Sequence, residues 1–149
     1  MDVFITFLEE KDLNEVAAIE EGSFPQPWTY KMFERETKLP FSRFFVLKIK
    51  DSLKIMGYAG YWIIDQEAHL TNFAISAEFH RQGWGKFLLT YVLEYAKSEM
   101  LNKISLEVRV SNKAAQNLYQ ETGFALVSRR KGYYPYPQLE DALILAKEL

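Results

Sequence analysis

The sequence contains no cysteine. This absence excludes disulfides, cysteine-ligated zinc sites and thiol nucleophiles together. The only two histidines, His69 and His80, do not have a standard metal-ligand spacing, so we expect no bound metal. No apolar run approaches the roughly 20 residues of a membrane span, and the acidic N-terminal segment does not look like a signal peptide. We therefore expect a soluble, cytoplasmic protein.

Charge of one sign is also missing, since 18 Lys and Arg residues face 20 Asp and Glu residues, a formal net charge of −2. That balance argues against a broad electrostatic surface for nucleic acid. Only seven glycines and five prolines occur among 149 residues, so the chain is neither disordered nor of low complexity. Its length is that of one ordinary domain, and we predict a single domain over residues 1–149.

The spacing of apolar residues predicts one mixed sheet with helices on its faces, an α/β (α+β) architecture. The helices are expected to begin near Asp12, at Thr29 as an N-cap, at Trp84 and at Asn112, and the last is expected to end at Gly123. We predict the seven strands at residues 3–8, 43–49, 55–64, 69–76, 104–110, 124–131 and 139–147, with a Tyr-Tyr-Pro-Tyr-Pro loop between the last two.

A basic glycine loop, HRQGWGK, joins the predicted strand at residues 69–76 to a helix. Glycine permits close backbone approach, and the free N–H groups at a helix N-terminus bind anions. Arg81 and Lys86 add positive charge. The spacing is not that of a nucleotide-hydrolysing P-loop, and Leu88 stands where a dinucleotide fingerprint needs its third glycine. On these residues alone, a phosphate site and a simple turn both stay open.

The segment LEVRVSN contains a second candidate site. Glu107 lies on the polar face of an alternating strand, where it could act as a general base if partial burial raises its pKa from the reference of about 4.3. Asn112 and Tyr119 share a helix face, and a phenol with a pKa of about 10 can donate a proton to a leaving group. A solvated glutamate, a helix-capping Asn112 and a core Tyr119 are the alternatives.

Aromatic and proline residues are concentrated in two segments, SFPQPW and GYYPYPQLED. They are typical of rigid loops with partly buried rings, and equally of walls around a groove for an extended peptide. The spacing does not decide between the two.

Taken together, these motifs resemble the GCN5-related N-acetyltransferase (GNAT) family. They resemble more narrowly the RimI-type ribosomal-protein-alanine N-acetyltransferases and the archaeal N-terminal acetyltransferases. The resemblance rests on NFAI, RQGWGK, LEVRVSNKAAQNLY, TGF, RRKGYYP and EDALIL, with a looser match at FPQPWT. It implies a mixed, mostly antiparallel sheet of about seven strands flanked by about four helices.

The resemblance also implies acetyl-CoA as co-substrate, with Glu107 as proton acceptor and Tyr119 as proton donor. Strand backbone at Phe73, Ala74 and Ile75 would contact the pantetheine and acetyl groups, and one of its N–H groups would stabilise the oxyanion. Asn112 would hydrogen-bond the co-substrate. The main chain would wrap the pyrophosphate at Arg81, Gln82, Gly83, Trp84, Gly85 and Lys86. One departure is His80, where relatives often have Gln or Arg.

The implied reaction is acetylation of the N-terminal alanine of a small-subunit ribosomal protein, by direct transfer in a ternary complex. Acetylation of other protein N-termini, lysine side chains or small-molecule amines is the alternative. A CoA-responsive module without turnover is disfavoured, because it would need neither Glu107 nor Tyr119. We expect no direct contact with nucleic acid or membrane. Four carboxylates are expected to attract a basic N-terminal segment: Glu20, Glu21, Glu34 and Glu36.

Overall fold

A computed structural model describes residues 1–149 and contains one seven-stranded sheet and four α-helices. The strands are β1 (Val3–Phe7), β2 (Ser42–Ile49), β3 (Ile55–Ile64), β4 (Glu67–Ile75), β5 (Lys103–Arg109), β6 (Ala125–Tyr134) and β7 (Glu140–Glu148). The helices are α1 (Leu13–Ser23), α2 (Tyr30–Glu36), α3 (Trp84–Ser98) and α4 (Lys113–Glu121). Short 3₁₀ turns at Glu10–Asp12 and Ala77–Phe79 precede α1 and the loop before α3.

The strand order is β1-β2-β3-β4-β5-β7-β6, and every neighbouring pair except β4–β5 is antiparallel. The predicted mixed, mostly antiparallel sheet is therefore confirmed. The parallel pair is short, because β4 and β5 are bonded only from Glu67↔Lys103 to His69↔Ser105. Beyond that point the two strands separate, and each keeps a partner only on its outer side. This separation opens the sheet in its middle.

Apolar side chains cover both faces of the sheet. On one face, the stripe of α3 that includes Leu88, Leu89 and Val92 packs with Ile104 and Leu106, in a cluster of 20 buried residues. On the other face, a second cluster of nine buried residues includes α1 and α2 side chains such as Leu13, Val16 and Phe33. Each fully buried Leu or Phe contributes about 1.5–3 kcal/mol relative to exposure. No helix is both long and apolar enough to cross a membrane.

Residues at the termini themselves determine where most of the helices and strands begin and end. The backbone N–H of Met32 donates to Thr29 Oγ1 at 3.3 Å, so the predicted N-cap of α2 is confirmed. Gly123 follows α4 with φ +99°, the left-handed conformation expected of a glycine at a helix C-terminus.

One predicted boundary is wrong, since Tyr133 and Tyr134 belong to β6 and not to a loop. The register shifts between Arg130 and Tyr134, and Gly132 takes a positive φ of 63° there. An irregularity of this kind lets a strand bend and then continue, and β6 pairs again with β7 at Tyr134↔Glu140. Both tyrosines are thereby attached to the sheet.

Candidate active site

The opening between β4 and β5 leads into a cleft of about 1160 Å³. Most of the residues singled out from the sequence border it. On the β4 and loop side they are Phe73, Ala74, Ile75, Arg81, Gly83, Trp84 and Gly85, and on the opposite side they are Glu107, Asn112 and Tyr119. Gln82 and Lys86 do not border the cleft. Instead, the Gln82 side-chain amide donates to the Glu78 carbonyl at 3.1 Å, and Lys86 is exposed.

The loop before α3 presents main-chain donors at one end of the cleft. Arg81 and Gly83 both take positive φ, 58° and 87°, and Gly83 is the N-cap of α3. No side chain caps this helix, and the first N–H groups of a helix have no intrahelical acceptor. His80 Nε2 donates to the Ile75 carbonyl at 2.6 Å, which ties the loop to the end of β4. The donors and the Arg81 charge fit a diphosphate group.

The carboxylate of Glu107 is held on both of its oxygens. His69 Nε2 lies 2.9 Å from Oε2, and the Tyr133 hydroxyl donates to Oε1 at 3.1 Å. Burial alone would raise the pKa of Glu107, but His69, Tyr133 and the Arg130 charge together outweigh it, and the pKa is lowered. The condition set from the sequence for a general base, a pKa raised by burial, is therefore not met. Glu107 is a charged carboxylate at neutral pH.

His69 is a site residue that the sequence analysis considered only as a metal ligand. Its Nδ1 lies 3.2 Å from Ser105 Oγ, so the ring bridges two side chains of β5, Ser105 and Glu107. The register pair His69↔Ser105 is the last of the parallel ladder. No local sequence pattern indicates this contact. A histidine on β4 can be paired with a carboxylate on β5 only by someone who knows that the two strands are neighbours.

Tyr119 combines a core position with a place at the cleft. It is buried, and its ring packs edge-on against Phe124 and Phe73, at centroid distances of 5.5 and 6.3 Å. Burial, with a smaller contribution from Tyr134, raises the pKa of Tyr119 above that of an ordinary phenol. The hydroxyl therefore keeps its proton at neutral pH. Tyr119 is therefore a core residue that also borders the cleft, and its role as a proton donor stays a prediction.

Asn112 has the structural role that the sequence analysis left open. Its Oδ1 accepts a hydrogen bond from the Ala115 backbone N–H at 3.1 Å, so it is the N-cap of α4. The cap fixes the start of the helix that carries Tyr119. Asn112 also borders the cleft.

Glu20 was expected to attract a basic peptide, and that expectation is wrong. The side chain is buried and accepts hydrogen bonds from the Tyr58 hydroxyl at 2.5 Å and from the Trp28 backbone N–H at 3.0 Å. Burial raises the pKa of Glu20. It fastens the Phe24-to-Trp28 loop to β3 and borders the cleft from a buried position, with both oxygens already hydrogen-bonded.

The same correction applies to Glu36. It is buried, and its Oε1 accepts from Ser42 Oγ at 2.9 Å and from Trp62 Nε1 at 2.6 Å. Its other oxygen, Oε2, is buried without a hydrogen-bond partner, so two donors to Oε1 are all that offset the burial of this carboxyl group. Glu21 is exposed and Glu34 partly exposed, so only these two members of the predicted acidic set face solvent.

The sequence profile of the Acetyltransferase (GNAT) family matches residues 13–124. The [Ribosomal protein bS18]-alanine N-acetyltransferase of Escherichia coli (strain K12) is 32% identical over 143 residues, covering 95% of each chain. A Bacillus subtilis (strain 168) protein, provisionally assigned the same activity, is 39% identical over 136 residues, covering 91% of this chain and 88% of that one.

Solved structures match the whole architecture. The crystal structure of the ribosomal-protein-S18-alanine N-acetyltransferase from Escherichia coli superposes with a TM-score of 0.90 at 32% identity, covering 99% of this chain and 94% of that one. Ard1 from Thermoplasma volcanium superposes with a TM-score of 0.91 at 22% identity, covering 100% of this chain and 99% of that one, and shows the shared fold. By its sequence and by its fold, the chain belongs to the acetyltransferase (GNAT) family.

Proposed function

We propose that this protein transfers the acetyl group of acetyl-CoA to the N-terminal α-amine of a protein, specifically the N-terminal alanine of ribosomal protein bS18. The observation that carries the proposal is one cleft bordered by Glu107, by Tyr119 and by the donor loop before α3. The relatives named for this activity support the choice of acceptor, since they are 32–39% identical over nearly the whole chain.

Acetyl-CoA, when bound, supplies a thioester from which the acetyl group is transferred and a thiolate leaves. The N–H groups at the start of α3, with Arg81, would hold its diphosphate. Phe73, Ala74 and Ile75 border the cleft on the side of β4 that has lost its neighbouring strand. Main-chain N–H and C=O groups on that edge would bind the pantetheine amides and stabilise the oxyanion.

Glu107 would take the proton of the acceptor amine, directly or through a water. A peptide α-amine has a pKa of about 7.7–8.0, so a minority of roughly a fifth to a third is already neutral near physiological pH. Because the pKa of Glu107 is lowered, the group is charged there and attracts the ammonium form. The nitrogen becomes acidic as it attacks the carbonyl, and a weak carboxylate base suffices to remove its proton at that stage.

Tyr119 would stabilise the leaving thiolate. Its pKa is raised by burial, whereas an alkyl thiol has a pKa of about 8.5. Full proton transfer from this phenol to a thiolate is therefore uphill, and donation of a hydrogen bond to the developing charge is the main contribution. The position of the ring between Phe73 and Phe124 fixes the direction of that hydroxyl.

The chain's own chemistry supports direct transfer between two bound substrates. There is no cysteine to carry an acetyl group, and Glu107 is bonded on both oxygens. Holding amine and thioester in one cleft provides the advantage of proximity. Initial-rate kinetics with both substrates varied should give intersecting lines, and parallel lines would contradict direct transfer.

The acceptor class is tested with a library of peptides that differ in their first two residues and each contain one internal lysine. The purified protein and acetyl-CoA are added, and mass spectrometry locates the modified nitrogen. We expect acetylation at the α-amine, with alanine preferred at the first position. Modification mainly at lysine, or equally fast acetylation of a polyamine, would show that the alternative acceptor classes are correct.

A further inference from the structure

Arg109 lies on β5 two residues beyond Glu107, on the same face of the strand, and also borders the cleft. Its guanidinium makes three contacts, one each with the last residue of β6, the first residue of β7 and the loop between them. One nitrogen donates to the Tyr136 carbonyl at 2.8 Å, and the other donates to Glu140 Oε1 at 3.1 Å. The guanidinium carbon also lies 4.2 Å from the centre of the Tyr134 ring. The planar guanidinium presents five N–H donors in a rigid fork, and no other side chain has this set of donors.

Glu140 extends this set of contacts to the start of α4. Its second oxygen, Oε2, accepts a hydrogen bond from the Ser111 backbone N–H at 2.7 Å. Arg109 and Ser111 together lower the pKa of Glu140, with Ser111 the larger cause. The carboxylate is therefore charged at neutral pH and bonded on both sides. It joins β7 to the turn between β5 and α4, directly beside the capping residue Asn112.

Residues 135–139, which connect the two strands, are all exposed. The β6–β7 ladder ends at Tyr134↔Glu140, so no strand pairing holds these residues. Their only hydrogen bond to the end of β5 is the one that the Tyr136 carbonyl accepts from Arg109. Tyr134 borders the cleft. Its position, and that of the loop after it, thus depends on a side chain from the strand that carries Glu107.

We propose that Arg109 is a positioning residue that holds Tyr134 and residues 135–139 against the end of β5, and so sets the width of the acceptor side of the cleft. The guanidinium charge is matched by Glu140 and covered by the Tyr134 ring, so it acts through the loop and not by binding the acceptor itself. Acetyl-CoA is held at the opposite end, by the loop before α3, and is unaffected.

The kinetic test rests on the proposed function and compares Arg109→Met and Arg109→Lys with the wild-type protein. We expect the KM of an alanine-starting peptide to rise about tenfold in Arg109→Met, the lower end of the effect of one hydrogen bond to a charged group. Lysine should restore little, since it lacks the planar fork. The KM of acetyl-CoA should not change, and kcat should fall less than the peptide KM rises.

Arg129→Met is the matched control. Arg129 Nε bonds Asp141 at 2.7 Å, so it is also an arginine–carboxylate pair between β6 and β7, but it does not border the cleft. Arg129→Met should leave the KM of the peptide and the KM of acetyl-CoA unchanged. If Arg109→Met leaves the peptide KM unchanged, or raises the KM of both substrates equally, the positioning role is wrong.

A second measurement needs no substrate and so separates this inference from the proposed function. Amide hydrogen exchange of residues 134–140 should become faster in Arg109→Met and Glu140→Gln, and stay at the wild-type rate in Arg129→Met. Faster exchange combined with no α-amine acetylation by the wild-type protein would overturn the proposed function and leave the loop attachment standing. Unchanged exchange in both variants would overturn the loop attachment.

Discussion

The two ends of the cleft are built in different ways. At the proposed co-substrate end, one continuous stretch from β4 to α3 presents main-chain groups, and the side chains of His80 and Gln82 bond back to the local backbone. At the proposed acceptor end, the side chains come from separate elements. Glu107 of β5 is held by His69 of β4 and Tyr133 of β6, and Tyr119 of α4 borders the same cleft as Glu107.

This difference predicts where substitution is tolerated. A site made of backbone depends on φ and ψ, so most side-chain changes there should have small effects unless they alter the conformation of the loop. A site made of side chains loses a specific donor or acceptor with each change. The following predictions order the two ends by the size of the expected effect.

The largest effect is expected from Glu107→Gln. Loss of a general base typically lowers the rate by about 10²–10⁴. The loss should be greatest at acid-to-neutral pH, where most of the amine is protonated, and should shrink above the amine pKa of about 8. A pH series of kcat/KM measures this, with acetyl-CoA affinity as the control. A wild-type rate at pH 6.5, roughly one unit below the amine pKa, would exclude the role.

Tyr119→Phe should have the next largest effect, roughly a hundredfold lower kcat for the loss of one transition-state donor. The ring contacts with Phe73 and Phe124 need no hydroxyl, so folding should be kept. Acetyl-CoA binding, measured by calorimetry, should barely change. A variant with unaltered kcat would reduce Tyr119 to a packing residue.

At the co-substrate end, Gly83→Ala is the sharpest change. Gly83 has φ +87° and nothing within 4 Å of the added methyl group, so the cost is one of backbone conformation. A left-handed alanine costs about 1–2 kcal/mol, which corresponds to roughly 5- to 30-fold weaker acetyl-CoA binding. Peptide KM should be unchanged. Arg81→Ala should weaken binding less, and the opposite order would mean that side-chain charge dominates this end.

His69→Gln should have the smallest effect on the rate, but a clear effect on the pKa of Glu107 measured by NMR. Burial raises the pKa of Glu107 and His69 contributes most to lowering it, so removing the histidine should raise this pKa. Carbon-13 NMR of the glutamate carboxyl groups measures it directly.

The sign of the stability effect follows from the same shift. A carboxyl with a lowered native pKa stabilises the fold fully above its unfolded pKa of about 4.3, and this contribution is lost as pH falls through the lower native pKa. His69→Gln should reduce the contribution. An unmoved Glu107 pKa would show that Tyr133 and Arg130 suffice.

Local chemistry made the elements of the fold predictable from the sequence. Thr29 as an N-cap, Gly123 after α4 and the order of helices and strands along the chain depend on neighbouring residues, and each is as expected. The glycine loop was found because strand, loop and helix are consecutive.

The acceptor end was less predictable because its determinants are far apart in the chain. His69 and Glu107 meet only through the short β4–β5 ladder, and that contact reverses the expected direction of the Glu107 pKa shift. Glu20 and Glu36 are as acidic in the sequence as Glu21, and only packing shows that they are buried and hydrogen-bonded inside the fold. The Tyr133–Tyr134 pair required knowledge of the bulge at Gly132.

The most direct test of the account compares two peptides that both contain one internal lysine. One begins with alanine bearing a free α-amine, and the other is its desamino analogue, identical except that this amine is missing. After reaction with acetyl-CoA, intact-mass and fragment-ion spectra count and locate the acetyl groups. The account predicts one acetyl group on the α-amine of the first peptide and none on the second. Acetylation of the lysine in the desamino peptide at a comparable rate would contradict it.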